Sequence, residues 1–281
     1  MVHLGVIKCL EEEGIQPDII TGTSIGALIG SLYAYGFKYK QMEKKARELI
    51  ESEEFKKLGF EFFKDHKKEH SFRQLNDYIK ERLIYAKMII KPHIIEFDIL
   101  RKLIKKFIPN LNIEDLPRPF ATVSLDLVSG NDIVIKEGPL IDAVIKSISI
   151  PGIFPVCSEN NKILVDGGPT ASVPVDAAYS LGADIVIGVY LCSRLSEDFK
   201  LNSGIAINFR VDAIAKYRLN KVNAEKADVL IKPRVYTVHW ADYRKIDYGI
   251  NEGYRATKEK VKEIKRLIRP SLFRRKKKHK K

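Results

Sequence analysis

Apolar and polar positions alternate along the chain with two periods, and the alternation divides it into helices and strands. In residues 2–13 Leu4, Ile7, Cys9 and Leu10 are apolar and Glu11 to Glu13 are not, which predicts a helix stopped by Gly14. Pro17 leads into Asp18-Ile19-Ile20-Thr21, a short β-branched strand bounded by Gly22. Residues 27–35 read as a second helix, ending at Gly36. Residues 39–95 are rich in Lys and Glu and read as helical, and residues 100–108 as a further helix closed by Pro109-Asn110. Residues 120–127 and 132–136 read as two strands joined across Ser129-Gly130-Asn131. Residues 140–148 are predicted helical, 163–165 a strand running into Asp166-Gly167-Gly168, and 175–181 a helix stopped by Gly182. Residues 184–191 are almost continuously apolar, as in a strand covered on both faces. Residues 251–268 are amphipathic, with Tyr254, Val261, Ile264, Leu267 and Ile268 on one side. Strands alternating with helices predict an α/β fold: three layers, with a mainly parallel central sheet flanked by helices.

One stretch has a second reading. Residues 19–37 carry no charge over 19 positions, and Gly22, Gly26 and Gly30 recur every four residues, as in a membrane helix packed through small residues. Ten of the 19 are Gly, Ser, Thr or Tyr, however, and insertion needs a predominantly apolar segment. A strand, a tight turn and a buried helix fit better. No basic region followed by a long apolar core marks a signal peptide at the N-terminus.

Composition changes this picture little. The 281 residues are 45% hydrophobic and 30% charged, an ordinary globular balance that excludes collagen-like and largely disordered chains. Cys9, Cys157 and Cys192 lie far apart with no C-x-x-C, so neither a disulfide framework nor a zinc site is expected, and a reducing compartment is the simpler reading. The net charge of +13 is concentrated at one end. Residues 269–281 hold eight Lys or Arg and no acid, which leaves +5 for residues 1–268. The chain therefore reads as one domain, 1–268, followed by a basic, disordered tail, 269–281. The tail offers Arg274, Arg275, Lys276, Lys277, Lys278, Lys280 and Lys281 to an anionic membrane; its bland reading is a solubilising segment without a partner. Nucleic acid is not expected as a partner, because the run lacks the interleaved aromatics of a stacking platform.

The chemistry is concentrated at two places. Gly22-Thr23-Ser24-Ile25-Gly26 is a G-x-S-x-G set between a predicted strand and a predicted helix, the context a nucleophile elbow requires. The glycines allow a sharp turn that pushes the Ser24 hydroxyl out above the sheet. The helix start behind it favours negative charge, and the Ile25 N–H can donate to an oxyanion. The bland alternative is a plain tight turn. A serine nucleophile needs a base. Asp166 and His239 follow in the order of a Ser-Asp-His hydrolase, but that fold places several strands before its nucleophile, and here only one precedes Ser24. The six histidines fall mostly in Lys/Glu-rich segments, where a solvated role is the default. Asp166 is the better base. It ends a strand, Gly167-Gly168 lets the backbone bend after it, and active sites of open sheets gather at strand carboxyl ends.

Three blocks together resemble the patatin-like phospholipase family, bacterial and archaeal branch. They are His3 to Glu12 with Gly22-Thr23-Ser24-Ile25-Gly26-Ala27; Ser147-Ile148-Ser149-Ile150-Pro151-Gly152-Ile153-Phe154-Pro155-Val156; and Asp166-Gly167-Gly168 with Val173-Pro174-Val175. Val156 stands where the family has a second proline and Ser172 where it has Asn; Asn112 to Leu127 is also similar to the family's stretch before the acid block. The resemblance spans about residues 1 to 255. It implies a lipid acyl hydrolase with a Ser24–Asp166 dyad, an acyl-enzyme, phospholipid or lysophospholipid as substrate, no metal and no cofactor. Ser24 Oγ and the Asp166 carboxylate are then expected within hydrogen-bond reach. The apolar residues near Phe154 and the 39–95 segment are candidates for an acyl channel or lid, with simple packing an equal alternative. A cytoplasmic protein, peripheral at the inner membrane surface, is the matching location.

The family also has a strand and a glycine-rich loop of the form G-G-G-x-R/K-G just before the position of His3. The sequence given starts at Met1. The resemblance therefore implies a natural start upstream of Met1; the alternative is a catalytically impaired member that binds membrane or a partner through its tail. Because the dyad assigns no role to histidine, His239→Ala should keep p-nitrophenyl ester turnover within a few-fold. A drop of roughly 10⁴ in a folded variant would mark a true triad.

Overall fold

The computed structural model describes residues 1–58, 91–191, 195, 201, 203–235 and 245–269. Residues 59–90 of the charge-rich segment, His239, Cys192 and the basic tail from residue 270 lie outside them. In chain order the elements are α1 (Val2–Glu12), β1 (Ile20–Thr23), α2 (Ile25–Tyr35), α3 (Tyr39–Glu51), α4 (Glu53–Lys57), α5 (Phe97–Phe107), β2 (Phe120–Asp126), β3 (Asp132–Ile135), α6 (Leu140–Ile148), β4 (Cys157–Glu159), β5 (Lys162–Asp166), α7 (Gly168–Ala171), α8 (Val175–Ser180), β6 (Ile187–Val189), α9 (Gly204–Ala224), β7 (Val229–Ile231) and α10 (Ile246–Ile268).

The α/β architecture is present, with helices on both faces of the sheet, but the sheet is mixed in direction. β1 pairs parallel to β2, and β6 parallel to β7; β2–β3, β2–β5 and β4–β5 are antiparallel. Hairpins make two of the three antiparallel pairs, β2–β3 and β4–β5. Gly130 takes φ 73° in the five-residue loop between β2 and β3, and Asn160 and Asn161 take φ 47° and 61° in the two-residue turn between β4 and β5, conformations that Gly and Asn tolerate. The long apolar run at 184–191 pairs over three residues only, Ile187–Val189.

β2 alternates between the two layers. Phe120 joins a core shared by α1, α2, α3, α5 and α6, while Val123 packs on the other face against Ala171 and Ala177. Phe154 is buried in the first of these cores, which is the packing reading of its block. A further cluster joins α1 and α10 to β6 and β7 through Val6, Cys9, Leu10, Val229, Ile231, Ala256 and Ile264. Among the described residues no helix is long and apolar enough to cross a membrane, and residues 20–35 form β1, the turn and α2. Cys9 and Cys157 are free thiols.

The crossing of α1 and α10 is unusually close because glycine lines it. A Cβ on Gly5 would lie 1.9 Å from the Ile250 carbonyl oxygen, and one on Gly253 2.1 Å from that of Val2. No side chain can move aside to relieve either clash, since the obstacle is backbone. Gly5→Ala and Gly253→Ala are each expected to cost about 1–3 kcal/mol in urea unfolding. Gly204→Ala, where nothing lies within 4 Å, should stay within about 0.5 kcal/mol of the parent.

Candidate active site

The site is set by a single strand edge. Val123 of β2 pairs with Thr23 of β1 and also with Val134 of β3, so β1 and β3 lie on opposite edges of β2. Ser124 pairs with Asp166 of β5 and with Ile133 of β3, so β5 shares the edge that β1 occupies. β1 runs parallel to β2 and β5 antiparallel, and the two meet carboxyl end to carboxyl end between Val123 and Ser124. Ser24, the residue after β1, and Asp166, the last of β5, are thereby brought together. The Ser24 hydroxyl lies near enough to the Asp166 carboxylate to favour its charged form.

Ser24 sits at φ 56° and ψ −125°, outside the regions a non-glycine residue prefers. Several contacts hold it there. Its N–H donates to Ser147 Oγ at 3.1 Å, and Ser147 in turn donates to the Val123 carbonyl at 2.6 Å. Gly22 is sterically required: a Cβ there would meet the Gly26 carbonyl oxygen at 2.4 Å and the Ala27 nitrogen at 2.5 Å. Gly26 is not required in that sense, since its Cβ would make only an ordinary contact with His3 Nε2 at 3.7 Å. Ser24 is also the N-cap of α2. The N–H groups of Ile25 and Gly26 begin the helix without intrahelical acceptors and stand at the positive end of its dipole.

Asp166 is held as firmly. Its backbone N–H donates to the Ser149 carbonyl at 2.9 Å, and its Oδ1 accepts from Gly168 N–H at 2.6 Å. Ser147 and Ser149, two residues apart, thus anchor the nucleophile strand and the acid strand respectively. Gly167 packs where a Cβ would come within 2.8 Å of the Val123 carbonyl oxygen, and a Cβ on Gly168 within 2.9 Å of Asp166 Oδ1. Burial pushes the Asp166 carboxyl above the ordinary aspartate range. The Ser24 hydroxyl, the Gly168 N–H and the charge of Lys216 pull it partly back.

Two participants are not evident from the sequence. Asn220 of α9 is buried, and its side chain clamps the loop after Asp166. Oδ1 accepts from Ser172 N–H at 2.7 Å, and Nδ2 donates to the carbonyls of Gly168 and Pro169, both at 3.0 Å. Asn223 adds a bond to the Thr170 carbonyl at 2.9 Å. A lone Asn inside a helix gives no sequence signal for such a role. His3 is the other. Its Nδ1 is buried without a hydrogen-bond partner among the described residues, and burial, helped by the charge of the amino terminus, lowers its pKa to about 3. It is a neutral wall residue, contrary to the solvated default expected for the histidines.

A cavity of about 1000 Å³ opens beside Ser24. β1 forms one wall and β6 another, with His3 and Leu10 of α1, Val173 and Tyr217 completing it. Among the described residues β1 pairs on one side only, with β2, and β6 only with β7. At about 3.3 Å per residue, 4.8 Å between strands and 10 Å between layers, the cavity has the volume of roughly six residues of strand. No group of three or more His, Cys, Asp or Glu gathers as metal ligands among the described residues.

The sequence has recognisable relatives among known proteins. The family profile described as Patatin-like phospholipase matches residues 1–179. An uncharacterized NTE family protein of Mycobacterium tuberculosis (strain CDC 1551 / Oshkosh) is 28% identical over 207 residues, covering 74% of this chain and 30% of the relative. Patatin-like phospholipase domain-containing protein 6 of Homo sapiens is 28% identical over 198 residues, covering 70% of this chain and 13% of that protein. The chain thus spans less than a third of either relative. VipD from Legionella pneumophila aligns over 93% of this chain and 64% of its own, at 14% identity and a TM-score of 0.47.

The electrostatics at Asp166 have a measurable sign. If the ionised carboxylate is the base, kcat/KM rises with pH through its pKa, so the acid limb should lie above pH 3.8, the ordinary aspartate value. Lys216→Ala removes a charge that favours ionisation and should move that limb to higher pH. A raised folded-state pKa also means that Asp166 contributes stability below its unfolded pKa, and that this is lost as pH rises through the folded value. Asp166→Asn should therefore melt no lower than the parent at neutral pH while losing activity. A lower melting point, or an unmoved limb in Lys216→Ala, counts against this account.

Proposed function

The chain belongs to the patatin-like phospholipase family, and we propose that it is a serine ester hydrolase that releases fatty acid from phospholipid or lysophospholipid. One observation carries the proposal: β1 and β5 meet head-on along one edge of β2, which sets Ser24, just after β1, beside the buried Asp166 that ends β5. In the proposed reaction Ser24 Oγ bonds to the ester carbonyl carbon as Asp166 accepts the Ser24 proton. The carbonyl oxygen becomes an oxyanion facing the Ile25 N–H and the α2 dipole. Collapse of this adduct breaks the ester C–O bond, and the departing alcohol takes the proton from Asp166. Water then attacks the acyl-serine while Asp166 accepts its proton. A second collapse releases the fatty acid and returns the proton to Ser24.

The chemistry asks for a nucleophile, a base and oxyanion donors, and the supply of donors is where a second reading enters. The Ser24 N–H is engaged by Ser147 Oγ, which leaves Ile25 and Gly26 as the backbone donors of the elbow. The resemblance implies further donors on a glycine-rich strand, and the cavity between β1 and β6 has room for one. On this reading such a strand would add N–H donors to those of Ile25 and Gly26.

Ser24→Ala and Asp166→Asn should each lower p-nitrophenyl ester turnover by roughly 10³-fold or more while leaving the fold intact by circular dichroism. Turnover retained in Ser24→Ala would remove the proposal. The same assay on a form carrying a glycine-rich strand ahead of Met1 separates the two readings. A gain of about 10²-fold with a higher melting point supports the missing-donor account, and equal values in both forms argue that Ile25 and Gly26 suffice.

A further inference from the structure

The helix that steadies the acid loop has an unusual far end. α9 spans Gly204–Ala224, and its last turns are fixed by Asn220 and Asn223 beneath the loop after Asp166. Its first turns are not fixed in this way. No residue from Gly204 to Ile214 is buried, although the segment is mostly apolar. Ile205 is 63% exposed, Ile207 47%, Phe209 65% and Val211 57%, and Leu201 just ahead is 52% exposed. At 100° per residue Ile205 and Phe209 lie on one side and Ile207 and Val211 on nearly the opposite one, with Arg210 and Asn208 between them, so apolar surface faces two opposite sides of the helix. Two opposite apolar sides cannot both be covered by one packed protein face, and monomeric soluble proteins rarely leave so much apolar surface uncovered.

Charge identifies the medium. Behind the apolar tip come Lys216, Arg218 and Lys221, all exposed, and the only acid in the whole helix is Asp212. From the middle of the apolar turns to the middle of these cations is about ten residues, or roughly 15 Å of helix. An apolar tip followed by a cationic collar has the order of layers of a bilayer, apolar interior first and anionic headgroups outside it. The net charge of +13 on the chain has the same sign. The helix is not long or apolar enough to span.

We propose that Leu201 and residues 203–211 insert as an apolar tip into an anionic lipid surface, with Lys216, Arg218 and Lys221 meeting the headgroups. Insertion of the tip brings the base of α9 to the membrane, and that base holds the acid loop of the catalytic pair. Lys216 lies near enough to act on the Asp166 carboxylate. The proposal rests on the ester hydrolase reading for what the surface delivers, an acyl ester at the depth of the site. It differs from tail-mediated attachment in placing the contact within the fold.

The test measures binding and hydrolysis separately. Protein is sedimented with vesicles of phosphatidylcholine and phosphatidylglycerol in equal parts, and turnover is read on a dissolved short-chain p-nitrophenyl ester and on the vesicle lipid. Ile205→Asp with Phe209→Asp should weaken vesicle binding and vesicle hydrolysis by about tenfold or more while dissolved-ester turnover stays within about twofold. Arg218→Glu with Lys221→Glu should weaken binding to the mixed vesicles by a similar factor. Phe209→Trp, which keeps the tip apolar and does not depend on the charged variant folding, should show a blue-shifted emission on addition of vesicles. Unchanged vesicle binding in the double-Asp variant, or no shift in Phe209→Trp, overturns the proposal. So does a dimeric parent that the double-Asp variant makes monomeric while vesicle binding persists, which would assign the patch to a second copy. An absence of dissolved-ester turnover in the parent counts against the hydrolase reading alone, because sedimentation and emission still report on the tip.

Discussion

Everything at the site depends on β2 offering one edge to two strands of opposite sense. Its hydrogen-bonding groups are taken up by β1 as far as Val123 and by β5 from Ser124 onward, and neither strand can extend without displacing the other. The chain must turn away at both ends. The elbow after Thr23 and the bend after Asp166 are consequences of that collision as much as of the glycines that permit them. Backbone groups at such a junction need other partners, and Ser147 and Ser149 supply them. One accepts from the Ser24 N–H and the other, through its carbonyl, from the Asp166 N–H. The side-chain pair is thus positioned by backbone bonding on both sides, which is how a strained serine at φ 56° is kept in place.

Much of this arrangement was legible in the sequence. α6 is bounded as the 140–148 pattern predicts, and α2 and the β2–β3 hairpin lie within a few residues of the predicted spans. Those segments have strong local signals: apolar spacing, Gly stops and a Ser-Gly-Asn turn. The direction of the sheet was less legible. Alternating helices and strands suggest parallel neighbours, but the β4–β5 hairpin is made by Asn160-Asn161, and β4 is too short to stand out as a strand of its own. The run at 184–191 shows the limit from the other side. Apolar content marks burial, whereas strand pairing needs a neighbour, and β7 supplies one for three residues.

The site divides in the same way. Ser24 and Asp166 could be picked out because G-x-S-x-G and D-G-G carry a backbone requirement, and at Gly22, Gly167 and Gly168 a Cβ would meet atoms closer than real contacts allow. Gly26 follows the motif without that steric need. Asn220 and His3 gave no signal. The role of Asn220 arises because the long α9 crosses back over residues some fifty positions earlier, and His3 is buried by the packing around α1 rather than by its own neighbours in sequence. Such roles come from tertiary contact, which periodicity and spacing do not encode.

The glycine-lined crossing of α1 and α10 bears on how the molecule comes to exist. Its two helices lie at opposite ends of the described chain, with Gly5 packed on Ile250 and Gly253 on Val2. During synthesis α1 leaves the ribosome early, at about 5–20 residues per second, and must wait for some 250 more before its partner emerges. Meanwhile Val6, Cys9 and Leu10 lack the later residues of their cluster, and the main core, which contains Ile246 and Ile250, is incomplete. Contacts of such long sequence separation form slowly, because the loop must close before the contact rewards it. Closure of the α1–α10 crossing is therefore a late step in reaching the native state.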